Sequence, residues 1–163
     1  MTKQLIVEAE VLAATAVWLK KNGWTLETIS FPKGQEIEMS NQYPFFKEYL
    51  EDNFLTIEEN IIFLTNGPDI IATKDGVKIK VECKGYCNAT APTLRNNFDR
   101  ALSSCVTYFD DTNIKLGLAI PDYYKKDVQK RVPVALRKAL KMSIFLLNTT
   151  TNVVDHYEPT DII

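Results

Sequence analysis

The sequence predicts a three-layer α/β domain around a mixed sheet. Three observations carry that expectation: an apolar helix at the start, a cluster of short strand-like segments joined by a hairpin turn, and a second half in which strands alternate with helical segments. The chain has 163 residues, 45% of them hydrophobic and 10% aromatic, with only 6 Gly and 7 Pro. That composition can bury one sizeable core and excludes disordered and fibrous classes. We expect a single domain over residues 1–163.

The elements follow in order. Leu5–Lys21 has no Gly or Pro, is rich in Ala and Leu, and ends at Asn22-Gly23, a helix with Gly past its C-terminus. It is apolar around much of its circumference, which suits a helix packed on a sheet. Trp24–Phe31 alternates loosely and meets Pro32, giving a strand. Residues 32–60 are acidic and less regular, and read as an insertion with a short helix over Pro44–Glu51. Ile61–Leu64 and Asp69–Thr73 are short apolar runs, and Lys74-Asp75-Gly76 supplies a hairpin turn. Val77–Cys83 is the clearest strand, with Val77, Ile79, Val81 and Cys83 on one face and Lys78, Lys80 and Glu82 on the other. Thr93–Asp110 is a helix with Leu94, Phe98, Ala101, Leu102, Cys105 and Phe109 at helical spacing. Its other side carries Arg95, Asn97, Arg100 and Ser104. Lys115–Ile120 is a strand, Pro121–Met142 a helical region broken at Pro133, and Ser143–Leu147 and Val153–His156 close the sheet. The resulting core order is αβββαβ.

Charge and cysteine usage bound the function. Nineteen basic and 21 acidic residues leave a net charge of −2. The acidic excess lies before Pro68, whereas Lys125, Lys126, Lys130, Arg131, Arg137, Lys138 and Lys141 form a basic run facing only Asp122 and Asp127. Such a run either attracts phosphates, with Lys130 and Arg131 among the contacts, or is a solvated helix face. Three Cys, odd and sparse, argue against a disulfide framework and for a reducing compartment. Met1-Thr2-Lys3-Gln4 leads into an acidic helical pattern, not a signal peptide, and no run reaches the ~18 apolar residues of a membrane span. We expect a cytoplasmic protein with no membrane partner. Cys83, Cys87, Cys105 and His156 lack the spacing of a zinc site.

The residues that carry chemistry are Asp69, Glu82 and Lys84. The hairpin turn brings Asp69 beside the far end of the next strand, near Glu82. Lys84, two residues on, projects from the same face, with Cα atoms about 6.6–6.8 Å apart. Two converging carboxylates call for a cation, and oxygen ligands suit Mg²⁺ or Mn²⁺, with the Cys83 main-chain carbonyl as a third ligand. A lysine there orients or deprotonates a water, or neutralises charge developing on phosphorus. The alternative is an ordinary charged strand edge.

Pro68-Asp69 followed by Glu82-Cys83-Lys84 resembles the PD-(D/E)XK nuclease superfamily, and Gly67–Ala72 with Val81–Lys84 looks most like Holliday-junction resolvases and Mrr-like restriction nucleases. The resemblance implies a restriction-endonuclease-like fold, a divalent metal held by Asp69 and Glu82, and Lys84 assisting phosphodiester hydrolysis. It implies a Glu on the first helix near the metal, for which Glu8 is the candidate, the alternative being an acid at a helix N-terminus. It also implies backbone contacts from Arg95, Asn97 and Arg100. The function expected is a metal-dependent DNA endonuclease of restriction, repair or mobile-element type, which acts as a homodimer if it makes double-strand breaks. The alternatives are an RNA endonuclease of toxin type, or an inactive nuclease-like module that binds nucleic acid.

Overall fold

The computed structural model describes residues 5–33 and 37–163. The first four residues, and residues 34–36 of the acidic insertion, lie outside the described residues. The elements are α1 (Glu8–Lys21), β1 (Thr25–Ser30), α2 (Met39–Asp52), β2 (Ile62–Leu64), β3 (Ile70–Lys74), β4 (Val77–Cys83), α3 (Ala91–Thr107), β5 (Lys115–Pro121), α4 (Lys125–Arg131), α5 (Val134–Ala139), β6 (Met142–Leu147) and β7 (Val154–Tyr157). A 3-10 turn over Asp122–Tyr124 leads into α4.

The seven strands form one mixed sheet in the order β2-β1-β3-β4-β5-β6-β7. β1, β3 and β4 are antiparallel neighbours, whereas β4, β5 and β6 run parallel. The parallel strands β5 and β6 are buried along almost their whole length, because helices cover both faces. On one face Trp18 of α1 packs edge-on to Phe145 with ring centroids 5.2 Å apart. α2 lies on α1 through its buried Phe46 and Leu50. On the other face α3 covers β4 and β5, burying Phe98, Ala101 and Cys105. The three-layer α/β architecture, its mixed sheet and the αβββαβ order are therefore as expected, with β2 appended beside β1 as a parallel edge strand.

Element ends differ from the sequence reading for identifiable reasons. α1 begins at Glu8 and not Leu5, because the amide and carbonyl of Ile6 are both committed to Tyr86 in a two-bond bridge of 3.0 and 2.7 Å. α2 begins at Met39, before Pro44. The helix expected over Pro44–Glu51 is therefore longer, and Pro44 sits inside it. α3 is shifted toward its N-terminus and stops at Thr107, where Tyr108 and Phe109 tighten into bonds to Cys105 O and Val106 O. Among the described residues no helix is long and apolar enough to cross a membrane.

Two backbone features set the geometry of the functional end. The β3–β4 turn is Asp75-Gly76, with φ of 50° and 77°, and Lys74 pairs directly with Val77. Both turn residues are left-handed, the geometry that matches strand twist in a two-residue hairpin. Gly85 is where the chain leaving β4 crosses the start of α1. A Cβ there would stand 2.4 Å from Ile6 O and 2.7 Å from Glu8 N, and both are backbone atoms with little freedom to move aside. Gly85→Ala is expected to lower stability by about 1–3 kcal/mol and to loosen the Ile6–Tyr86 bridge. Denaturant melts, with amide exchange at Ile6 and Tyr86, check this.

Candidate active site

Asp69 stands one residue before β3, and Glu82 is the penultimate residue of β4. Because Ile70 pairs with Val81, extending the register by one sets Asp69 opposite Glu82, both on the face covered by α3. Asp69 is buried, 8% exposed, and its Oδ2 accepts the Cys83 amide at 2.7 Å. Its own carbonyl accepts the Ser30 amide at 2.9 Å, which ties β1 to the same point. Burial first, and then the charge of Glu82, hold the Asp69 carboxyl well above the ordinary carboxylate range. The Cys83 amide and Lys84 oppose that shift without cancelling it. Burial also lifts Glu82, against a hydrogen bond from Tyr108.

Tyr108 was not singled out from the sequence. Its hydroxyl lies 2.7 Å from Glu82 Oε2 and 3.3 Å from the carbonyl of Gly67. It has one proton to donate, and the shorter distance and the charge assign that proton to the carboxylate. Burial and this bond push the phenol's pKa far up, so it keeps its proton and stays a donor. The signal was available: Asn97, Arg100 and Ser104 form a stripe on α3, and the next position at helical spacing is Tyr108.

Lys84 follows β4, its amide bonded to Ala119 O at 2.9 Å. Its Nζ lies 2.7 Å from Glu8 Oε2, with both side chains partly exposed. Glu8 therefore reaches the site, brought there by the Ile6–Tyr86 bridge, but it faces the lysine and not the carboxylate pair. Lys84 and Glu8 line a groove of about 450 Å³ whose walls include Asn97 and Arg100 from α3 and Lys33 from the segment after β1. Lys33, also unforeseen, is steadied by Asn66 Oδ1 at 3.1 Å. Asn97 and Arg100 are shared with a second cleft along α3 that includes Thr93, Asn96 and Ser103. Asp69 and Glu82 are not lining residues of the groove, and Lys84 links it to them.

The remaining candidates are dispersed. Arg95 is exposed on α3, about 140° around the helix from Arg100, and lines neither cleft. Lys130 is exposed on α4. Arg131 pairs with Asp99 of α3, with Asp127 further off at 3.8 Å, so its charge joins two helices. Arg137, read as part of a basic surface, is buried and donates to the carbonyls of Glu158 and Asp161 at 3.2 and 2.8 Å. It anchors the C-terminal segment and is not a surface charge. The Cys83 amide points toward β3, and an extended residue carries its carbonyl on the same side. The Cys83 thiol is fully buried, and burial drives its pKa far up, so it stays protonated. His156 packs against Trp18 at 4.3 Å and Phe145 at 4.9 Å between ring centroids.

No family model matches the chain, and no curated protein matches it. Two solved structures are similar to it. One is an XisH family protein from Nostoc punctiforme, 14% identical, covering 90% of this chain and 96% of that chain with a TM-score of 0.44. The other is an fdxN element excision controlling factor protein from Anabaena variabilis, 19% identical, covering 91% and 95% with a TM-score of 0.47.

The buried carboxyls give a stability signature. A group whose acidity is weakened on folding contributes stability at low pH, and that contribution is lost as pH rises through its folded-state value. Apo wild type should therefore lose stability as pH rises above the ordinary Asp value of about 3.9. Asp69→Asn, which keeps an oxygen for the Cys83 amide, should flatten that fall and melt no lower than wild type at neutral pH. Asp69→Ala leaves the amide unpaired and should cost about 1–3 kcal/mol. Thermal melts across pH test all three.

Proposed function

We propose that the chain is a metal-dependent nuclease that hydrolyses phosphodiester bonds in nucleic acid, DNA being the expected substrate. The observation that carries the reading is the placement of Asp69 opposite Glu82 in strand register, on one face with Lys84, next to a groove walled by Lys33, Asn97 and Arg100. Burying two like charges together is unfavourable unless something offsets them. A divalent cation would do so.

The donors suit a hard ion. The donors proposed are the Asp69 and Glu82 carboxylates, and among the described residues no group of three or more His, Cys, Asp and Glu that could hold a metal ion is found. Mg²⁺ and its close substitute Mn²⁺ fit such a pair, because Mg²⁺ takes one or two carboxylates and keeps water and phosphate oxygens for its other positions. Asp69 and Glu82 would hold it, with the Cys83 carbonyl at their side. When bound, the ion would supply Lewis-acid polarisation of the phosphate and a more acidic attacking water.

The chain's own residues do the rest. Tyr108 fixes one oxygen of Glu82 and leaves the other available. The Cys83 amide does the same for Asp69. Lys84, oriented by its ion pair with Glu8, orients the water or neutralises charge on the phosphoryl oxygens. Arg100, Asn97 and Lys33 contact the polynucleotide backbone, a role for which an arginine fork and an amide are suited. Lys130 lies on the same side of the sheet, on a helix joined to α3 through Arg131 and Asp99, and adds positive charge there.

Incubation with labelled duplex, single-stranded and branched DNA and with RNA tests the reading, each with Mg²⁺, Mn²⁺ or EDTA. Cleavage is expected with either ion and not with EDTA. Lys84→Met should lower the rate at least about 10²-fold yet keep the Mg²⁺-induced rise in melting temperature, since only a state that binds the ion is stabilised by it. Asp69→Asn should lose both. Binding of nucleic acid without cleavage of any substrate would replace the enzyme by a nuclease-like binding module.

A further inference from the structure

The two edges of the sheet are finished differently. β7 carries Asp155 and His156 and runs into Glu158, and charge of that kind discourages strand addition. β2 is Ile62-Phe63-Leu64, uncharged, with the three side chains 58%, 37% and 39% exposed. Among the described residues no strand pairs with its outer side. Phe63 stacks on Phe31 at 5.4 Å and meets Tyr43 of α2 edge-on at 5.1 Å, while Ile62 and Leu64 point to the opposite face. Tyr43 and Met39 are 43% and 47% exposed. The apolar patch thus wraps the edge from one face of the sheet to the other, a feature that marks an interaction surface.

We infer that this edge is the interface with a second copy of the chain, β2 pairing antiparallel with β2 of that copy about a two-fold axis at Phe63. The occupant follows from charge and register. In this pairing Phe63 meets itself, Ile62 meets Leu64, Asn60 meets Asn66 and Glu59 meets Gly67, so like charges never stand opposite although the surrounding segment is acidic. On α2 the acids are turned aside. Glu48 and Asp52 fall about 140° and 180° around the helix from Tyr43, and Glu51 is paired with Lys47 at 3.2 Å. A charged peptide strand would find no partner on Ile62-Phe63-Leu64, whereas an identical apolar strand is self-complementary. Three residues give few backbone bonds, so the flanking stripe of Met39 and Tyr43 provides much of the buried area. The two-fold axis of an antiparallel strand pair stands perpendicular to the sheet. Both copies therefore present the α3 side, with Asp69, Glu82 and Lys84, on the same face of the joined sheet.

The test uses the full chain and two exposed positions, Ile62 and Leu64. Sedimentation equilibrium should return twice the 18.6 kDa chain mass for wild type, and the single-chain mass for Ile62→Lys, which should still melt cooperatively but at a temperature that no longer depends on protein concentration. Register is read by cross-linking in a Cys87→Ser background, Cys83 and Cys105 being buried. Residues directly opposite have Cα atoms about 4.5–5.5 Å apart, within disulfide reach. The double variant Ile62→Cys/Leu64→Cys should oxidise to a covalent dimer, and neither single variant should. A wild type that is monomeric at every concentration overturns the inference, as does a dimer that Ile62→Lys leaves intact. Equal cross-linking of the single variants also overturns it, and gain of mass only with a different protein assigns the edge to that partner instead.

Discussion

The register of one hairpin governs the functional end of this molecule. With Asp75 and Gly76 both left-handed, Lys74 is forced opposite Val77, and every later pair in β3 and β4 follows at fixed spacing. Five residues further along each strand, the same register sets Asp69 against Glu82. A slip by one residue would turn one carboxylate to the α1 side of the sheet and the other to the α3 side. Such a slip is opposed by burial, since Ile70, Ala72, Ile79 and Val81 lie on the α1 side and are excluded from solvent. Packing on one face of the hairpin thereby holds the chemistry on the other.

That arrangement carries an electrostatic cost in the apo protein, and the surroundings limit it without removing it. Asp69 receives the Cys83 amide and Glu82 receives the Tyr108 hydroxyl, hydrogen bonds that favour the ionised forms. Lys84 is close enough to lower the pKa of both, yet its own ion pair is with Glu8. This lysine is thus directed to Glu8, which leaves the repulsion of the two carboxylates partly uncompensated. A site built for a structural ion pair would place the lysine between them.

The acidic insertion is more than a surface appendage. It supplies α2, which covers α1 through Phe46 and Leu50, and leads into β2, which extends the sheet. It also contributes Lys33 to the groove, and Tyr43 to the aromatic cluster it forms with the flanking Phe31 and Phe63 at the edge. Buried Gln42 fastens this segment, donating to the carbonyls of Pro32 and Ile37 at 2.7 and 3.2 Å. The same segment thus borders the candidate active site on one side and the open sheet edge on the other.

The sequence by itself determined the α/β class, the order of the elements and the span of β4, because hydrophobic alternation, Pro and Gly positions and the Asp75-Gly76 turn act over a few residues. It also singled out Asp69, Glu82 and Lys84, since a hairpin relates them by simple counting. Tertiary structure alone decided the rest. Glu8 meets Lys84 only because Gly85 lets the chain after β4 press against the start of α1, a contact across 76 positions that no local pattern records. Tyr108 reaches Glu82 through the packing of α3 on the sheet, and Lys33 enters the groove from a segment whose irregular sequence concealed it. The basic run from Lys125 to Lys141 read as one surface, but Arg131 and Arg137 are engaged by partners from Asp99 and from the C-terminal carbonyls. Charge in a sequence says that a side chain needs a partner or water, and only the fold says which of the two it found.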